Sequence, residues 1–313
     1  RCPAPMVWRK GEGWTWESFG MPVGNTPKEQ LDIAKQYFDQ KDFGNAAASY
    51  RRLLRRWPAS FAAEEARFGL AESLSGAGYK FKAFKEYQSL IDKHPNSERY
   101  ELALQRQFEI GELFMNGYRD KTFGVRLFPS TDKAIDIFEQ VVKNGPYSAL
   151  GPQAQLRIGQ TYERRKEYVS AVRAYEKLME KYPNHPLAPV AQFQIGLAYR
   201  AEAKRAEYDQ NAANQAAAAF TDYTVRYPEG EDVTAAEQFQ TALRVEQARG
   251  AFQIGQFYEK NREYKAALIY YNDAIERSPK SDWAASARQK VAALNHRISQ
   301  PEATPAVQPT VDP

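Results

Sequence analysis

The chain holds few side chains that could do chemistry, and they are poorly spaced for it. One cysteine, Cys2, and three histidines, His94, His185 and His296, are its entire complement of thiols and imidazoles. No two histidines stand at a metal-ligand spacing such as His-x-x-x-His. A single thiol can form no internal disulfide and leaves no cysteine-based metal site. Next to Arg1, it is also badly placed to be held as a nucleophile. Gly-x-Ser-x-Gly is absent, as is any glycine-rich phosphate loop leading into Lys-Ser/Thr. Glu and Asp are abundant but fall at helical spacing beside Lys and Arg, the pattern of solvated surface pairs. The sequence therefore predicts no catalytic site, no cofactor site and no metal site, and so a chain that is not an enzyme.

Composition narrows the classes that remain. Over 313 residues the formal net charge is +4, far below the concentrated positive charge of a nucleic-acid binder, so no nucleic acid is expected as a partner. Apolar content of 43%, with 19 Tyr and 17 Phe, is enough for a packed core. No apolar run approaches the ~18 residues that span a bilayer. The sequence begins at Arg1 without an initiator Met, which predicts a trimmed product or one matured by leader removal.

What must position any binding residues is a repeat. Pro58, Pro95, Pro146, Pro183, Pro228 and Pro279 each close a helical pattern. Twelve residues before each stands an alanine: Ala46, Ala83, Ala134, Ala171, Ala216 and Ala267. Eight before each stands an aromatic: Tyr50, Tyr87, Phe138, Tyr175, Phe220 and Tyr271. Alanine lets two helices cross closely, and the aromatic one turn on fills the space between helix pairs. Each unit's first helix carries its own small residue at Ala34, Ala71, Gly111, Gly159, Gly196 or Gly255, with a large residue three positions later. This pattern resembles the tetratricopeptide repeat. It predicts an all-α tetratricopeptide (TPR) superhelix, an α-solenoid of about six helix-turn-helix units over residues 27–296. Residues 1–26 are expected to form an extended Trp-rich arm and residues 297–313 a disordered Pro-rich tail. An aromatic loop is expected between Asn116 and Thr131, longer helices around Ala201–Ala213, and an extra helix or long extension over Val233–Gln247.

Stacked first helices would line the concave face, which is where a partner would bind. Leu31, Phe68, Phe108, Leu156, Phe193 and Phe252, three residues before each small position, form an apolar row. The row reads either as inter-repeat core or as anchors for an extended peptide or helix. Groove residues flanking it are Lys35, Phe38, Asp39, Glu72, Glu112, Met115, Gln160, Glu163 and Arg164. Trp8, Trp14 and Trp16 read either as a cap on the first repeat or as partner anchors. Arg51, Arg52, Arg55 and Arg56 read either as a solvated convex face or as a contact for anionic groups.

The Pro-Asn-Ser boundaries, the runs Gln107-Phe108-Glu109-Ile110-Gly111-Glu112 and Gln192-Phe193-Gln194-Ile195-Gly196, and the long third-unit insert resemble the family of the outer-membrane protein assembly factor BamD. The resemblance implies a lipoprotein on the periplasmic side of the bacterial outer membrane, with Cys2 as the lipidation site. It also implies protein partners: the β-barrel assembly machine and its unfolded outer-membrane substrates. On this basis the N-terminal repeats are expected to receive an extended substrate segment and the C-terminal repeats to dock a membrane-embedded partner. The alternative is a periplasmic TPR adaptor of the Tol-Pal, cell-division type or of an export system, because a repeat fold does not fix a partner.

Overall fold

A computed structural model describes residues 6–9, 13–16, 23–122, 125–126, 131–205 and 210–299. Apart from two short β-hairpins, every element among them is a helix, and the helices pack in consecutive pairs. The chain divides into two compact units, Arg1–Leu187 and Ala188–Pro313.

Unit 1 opens with a hairpin of β1 (Met6–Arg9) and β2 (Gly13–Trp16), in register Met6↔Trp16 and Trp8↔Trp14. Four helix pairs follow. They are α1 (Pro27–Asp39) with α2 (Phe43–Arg56), α3 (Ala63–Gly76) with α4 (Lys80–Lys93), α5 (Tyr100–Met115) with α6 (Thr131–Asn144), and α7 (Leu150–Arg164) with α8 (Tyr168–Lys181). Thr26 starts the first helix. Its side chain accepts from the Glu29 amide at 3.2 Å. The Glu29 carboxylate in turn accepts from the Asn25 amide at 2.8 Å. Together these bonds cap the start of α1, with Glu29 reaching one residue beyond the N-cap Thr26. The insert of the third unit holds a second hairpin, β3 (Lys121–Thr122) paired with β4 (Val125–Arg126).

Unit 2 contains α9 (Leu187–Arg205), α10 (Gln210–Arg226), α11 (Val233–Lys260), α12 (Tyr264–Arg277) and α13 (Asp282–Ser299). The Val233–Gln247 extension is continuous with the first helix of the sixth repeat, which makes α11 28 residues long. Helix α13 runs to Ser299, so residues 297–299 are helical rather than tail. Arg297 lies 5.0 Å over the Tyr264 ring. That cation–π contact helps hold the last turn. The rest of the expected tail lies outside the described residues.

The core is what the alanine and aromatic positions dictate. All six alanines are fully buried, and the six aromatics are at most 3% exposed. Five of the first-to-second helix turns, those among the described residues, share one device. Lys41, Gly78, Gly117, Lys166 and Arg262 take φ between 59 and 86°, the left-handed region. The residue after each donates to the carbonyl five positions back, as in Asp42 N to Tyr37 O and Glu167 N to Tyr162 O, both at 2.9 Å. These are Schellman closures, which favour glycine. Lys166→Gly is therefore expected to stabilise the chain by ~0.5–1 kcal/mol, read as a higher urea midpoint.

A second device is buried and polar. Gln30, Gln155 and Gln192, four residues before the small position, each donate across the pair to a second-helix carbonyl. The acceptors are Ser49 O at 3.3 Å, Ala174 O at 3.0 Å and Ala219 O at 3.1 Å. Each acceptor lies three residues after its repeat's alanine, so this bond sets the sliding register of the pair.

Candidate partner-binding surface

The predicted apolar row lies in the interior. Leu31, Phe68, Phe108, Leu156, Phe193 and Phe252 are all at most 9% exposed. Phe68 meets Tyr87 edge to face at 5.8 Å, and Phe108 packs on Phe138 at 5.4 Å. In both, the ring packs on the second helix of its own repeat. The row is packed into the core, and Phe108 also borders a groove. Met115, expected in the groove, is buried as well, at 7% exposed.

The polar flanking residues form a ladder between successive first helices of unit 1. Lys35 Nζ on α1 lies 2.8 Å from Glu65 on α3, and Glu65 also pairs with Arg99 at 3.3 Å. Glu72 on α3 accepts from Arg106 on α5 at 3.0 Å and from the Tyr87 hydroxyl at 2.6 Å. Glu112 on α5 pairs with Arg157 on α7 at 2.9 Å, and Arg157 also donates to Gln160. Arg164 donates to Met115 O at 3.1 Å and to Asn116 Oδ1 at 2.8 Å. The ladder joins neighbouring repeats, so these residues first serve stacking. Phe38 is half-buried against Phe43, and Asp39 is exposed. Cys2 and the side chains of Trp8, Trp14 and Trp16 lie outside the described residues.

Burial perturbs the tyrosines along this seam. Desolvation, reinforced by the Glu65 and Asp39 charges, pushes Tyr50 up to about 12. Burial and the adjacent Glu72 carboxylate raise Tyr87 well above the usual phenol range. Glu163 is itself raised by burial, and the Tyr175 hydroxyl opposes that shift.

One open groove of about 640 Å³ lies along α5. Phe108, Leu102 and Leu150 give it an apolar floor; Glu98, Glu101, Gln105, Glu109 and Glu112 give it an acidic rim. Leu102 is 38% exposed. Glu109 and Glu112 are paired with Arg106 and Arg157, whereas Glu98 and Glu101 are exposed and have no ion-pair partner among the described residues. Of the sequence-derived candidates among the described residues, Phe108 and Glu112 line the groove. Glu98, in the turn before α5, and Glu101, Leu102 and Gln105 were missed, although the spacing of three and four from Glu101 and Leu102 to Gln105 marks one helical face.

Unit 2 holds a smaller recess of about 320 Å³ lined by Ala203, Ala213, Leu243 and Val245, with Arg200, Lys204 and Glu246 at its edge. It also exposes Ile254, Phe257 and Ile269 on α11 and α12. Among the described residues, no group of three His, Cys, Asp or Glu could hold a metal ion, and no helix is long and apolar enough to cross a membrane.

Comparison with known proteins adds a family likeness. A family model described as an outer membrane lipoprotein (YfiO) matches residues 129–277, and a tetratricopeptide-repeat model matches residues 31–98. The outer membrane protein assembly factor BamD of Caulobacter vibrioides is 29% identical over 146 residues, 47% of this chain and 48% of that protein. The chain thus spans about half the length of the curated relative it matches. Among solved structures, the C-terminal part of a TPR protein from Cytophaga hutchinsonii aligns over 84% of this chain and 88% of its own, with 18% identity and a TM-score of 0.37. MamA aligns over 66% and 97%, with 20% identity and a TM-score of 0.34. A TPR protein from Parabacteroides merdae aligns over 87% and 100%, with 13% identity and a TM-score of 0.34.

Proposed function

We propose that this tetratricopeptide-repeat protein, which resembles BamD, is a non-enzymatic scaffold of the bacterial cell envelope that assists assembly of outer-membrane β-barrel proteins. The observation that carries the reading is the outer membrane lipoprotein match, which runs from the end of the third-unit insert through α12. It supports a place on the periplasmic face of the outer membrane; on the same reading Cys2, which lies outside the matched residues, is the point of lipid attachment.

The groove on α5 supplies the binding chemistry. An apolar floor and a row of carboxylates suit an extended segment that alternates apolar and polar or basic side chains, as a strand of an unfolded β-barrel does. Leu102 and Leu150 contact the apolar side of the segment. The unpaired Glu98 and Glu101 meet its cations at the rim, where they steer association more than they add affinity. In unit 2, Ile254, Phe257 and Ile269 offer an apolar surface for the membrane-embedded partner.

The test is a mild-detergent pull-down from the native envelope with mass spectrometry of what co-purifies. Recovery of an outer-membrane β-barrel carrying periplasmic domains is expected. Recovery of Tol-Pal or export components without such a barrel overturns the assembly role and leaves a TPR adaptor.

A further inference from the structure

The first-to-second helix turn of the second repeat is gripped by the insert of the third. Asp120 is buried, at 7% exposed. It accepts from the backbone amides of Lys80 at 2.8 Å and Phe81 at 3.3 Å. In this way it caps the start of α4. The Tyr118 hydroxyl donates to Gly78 O at 3.1 Å, and Lys121 Nζ donates to Ala77 O at 2.7 Å. These bonds tie the turn between α3 and α4 to the insert of the third repeat.

Four ammonium groups lie there over three rings. Lys82 lies 4.8 Å and Lys121 5.7 Å from the centre of Tyr79. Lys85 lies 5.1 Å and Lys133 4.9 Å from the centre of Phe81, and Lys133 is also 5.3 Å from Phe114. Among the described residues none of the four forms an ion pair, whereas Lys35, Arg67, Arg99, Arg106, Arg157 and Arg165 in the same unit all do. The carboxylates at hand are engaged elsewhere: Asp120 caps α4, Asp132 pairs with Arg165, and Glu86 pairs with Arg67.

We infer that this lysine-aromatic patch is a docking surface for the phosphate headgroups of an anionic lipid membrane. Four lysines with no ion-pair partner among the described residues, against the single amide-capping Asp120 carboxylate beside them, leave a net positive potential that an anion relieves. The four cations are all lysines, which act as point charges for phosphate; the arginine fork that reads a carboxylate in two places is absent from the four. The patch sits at the helix ends, around the turn and the starts of α4 and α6, and not in the α5 groove. Lys82 and Lys85 are exposed, so the patch is open to solvent. Tyr79 and Phe81, half-buried at its centre, are amphipathic and apolar bodies suited to the headgroup boundary.

The experiment is flotation of the protein with phosphatidylcholine vesicles prepared with and without phosphatidylglycerol. Binding is expected only to the anionic vesicles and should weaken steeply with salt. The triple variant Lys82→Glu, Lys85→Glu, Lys133→Glu should lose about tenfold or more in affinity. Lys143→Glu, Lys177→Glu, Lys181→Glu, with the same change of net charge, should stay within about twofold. Equal binding to both vesicle types, or equal loss in the two triple variants, overturns the inference. So does binding to an acidic protein of the envelope with none to anionic vesicles. Circular dichroism melts of both triples confirm that the fold is kept, since all six residues are partly or fully exposed.

Discussion

Phe108→Asp is expected to unfold the middle of unit 1 rather than to weaken a binding site selectively. Phe108 is 7% exposed and packs on Phe138, which is itself fully buried. Truncating a buried Phe costs about 3–5 kcal/mol, and a carboxylate left unpaired in the same space adds several more. That total is comparable to the whole stability of a small domain. In a repeat array the loss passes to the neighbours, whose interfaces depend on this one. Leu102→Asp, on the exposed side of the same helix, should leave stability within about 0.5 kcal/mol of the parent and reduce only partner binding. Circular dichroism melts of the two variants check the prediction. A Phe108→Asp protein that melts like the parent would place that ring at the surface.

Gly159→Ala should be the most damaging of the small substitutions. A Cβ at Gly159 would stand 2.2 Å from Cε1 of Tyr175 and 2.6 Å from two further ring atoms. The ring has nowhere to go, because it is fully buried between helix pairs. The methyl therefore forces α7 and α8 apart, at a cost of about 3 kcal/mol. It also strains the Gln155-to-Ala174 bond that sets their register. Gly44→Ala is the control. There the nearest atom is 3.8 Å away. The exchange should be neutral or stabilise by up to about 1 kcal/mol. Thermal melts of the pair should differ by several degrees in opposite directions.

Most of the fold was legible because close helix crossing leaves a rigid signature. A small residue is needed where the second helix crosses closely, and the aromatic one turn on packs against a small residue of a first helix, as Phe138 does on Gly111 and Tyr271 on Gly255, so the spacing announces the geometry. The apolar row illustrates the ambiguity that spacing alone leaves. Phe68 and Phe108 lie on the first helices, but a three-residue offset cannot say which side of a helix is covered. The buried glutamines were harder to see, since Gln155 looks like a surface residue until the carbonyl it reaches is known. Asp120 was invisible as a cap because the helix it closes begins forty residues earlier at Lys80. The groove on α5 went unread for a related reason. Glu98, Glu101 and Gln105 carry no apolar signal, and only stacking against α7, which brings Leu150 alongside, turns that face into a recess.

Whether the α5 groove receives unfolded outer-membrane proteins can be read by in-cell photo-cross-linking. A photoreactive residue is placed at Leu102 in the groove and, as reference, at Lys177 on the exposed face of α8. Adducts are expected between the Leu102 position and newly made β-barrel proteins, diminished when Glu98 and Glu101 are changed to Gln, and none at Lys177. Adducts that are equal at the two positions, or that join Leu102 only to Tol-Pal or export components, would contradict a substrate-receiving groove.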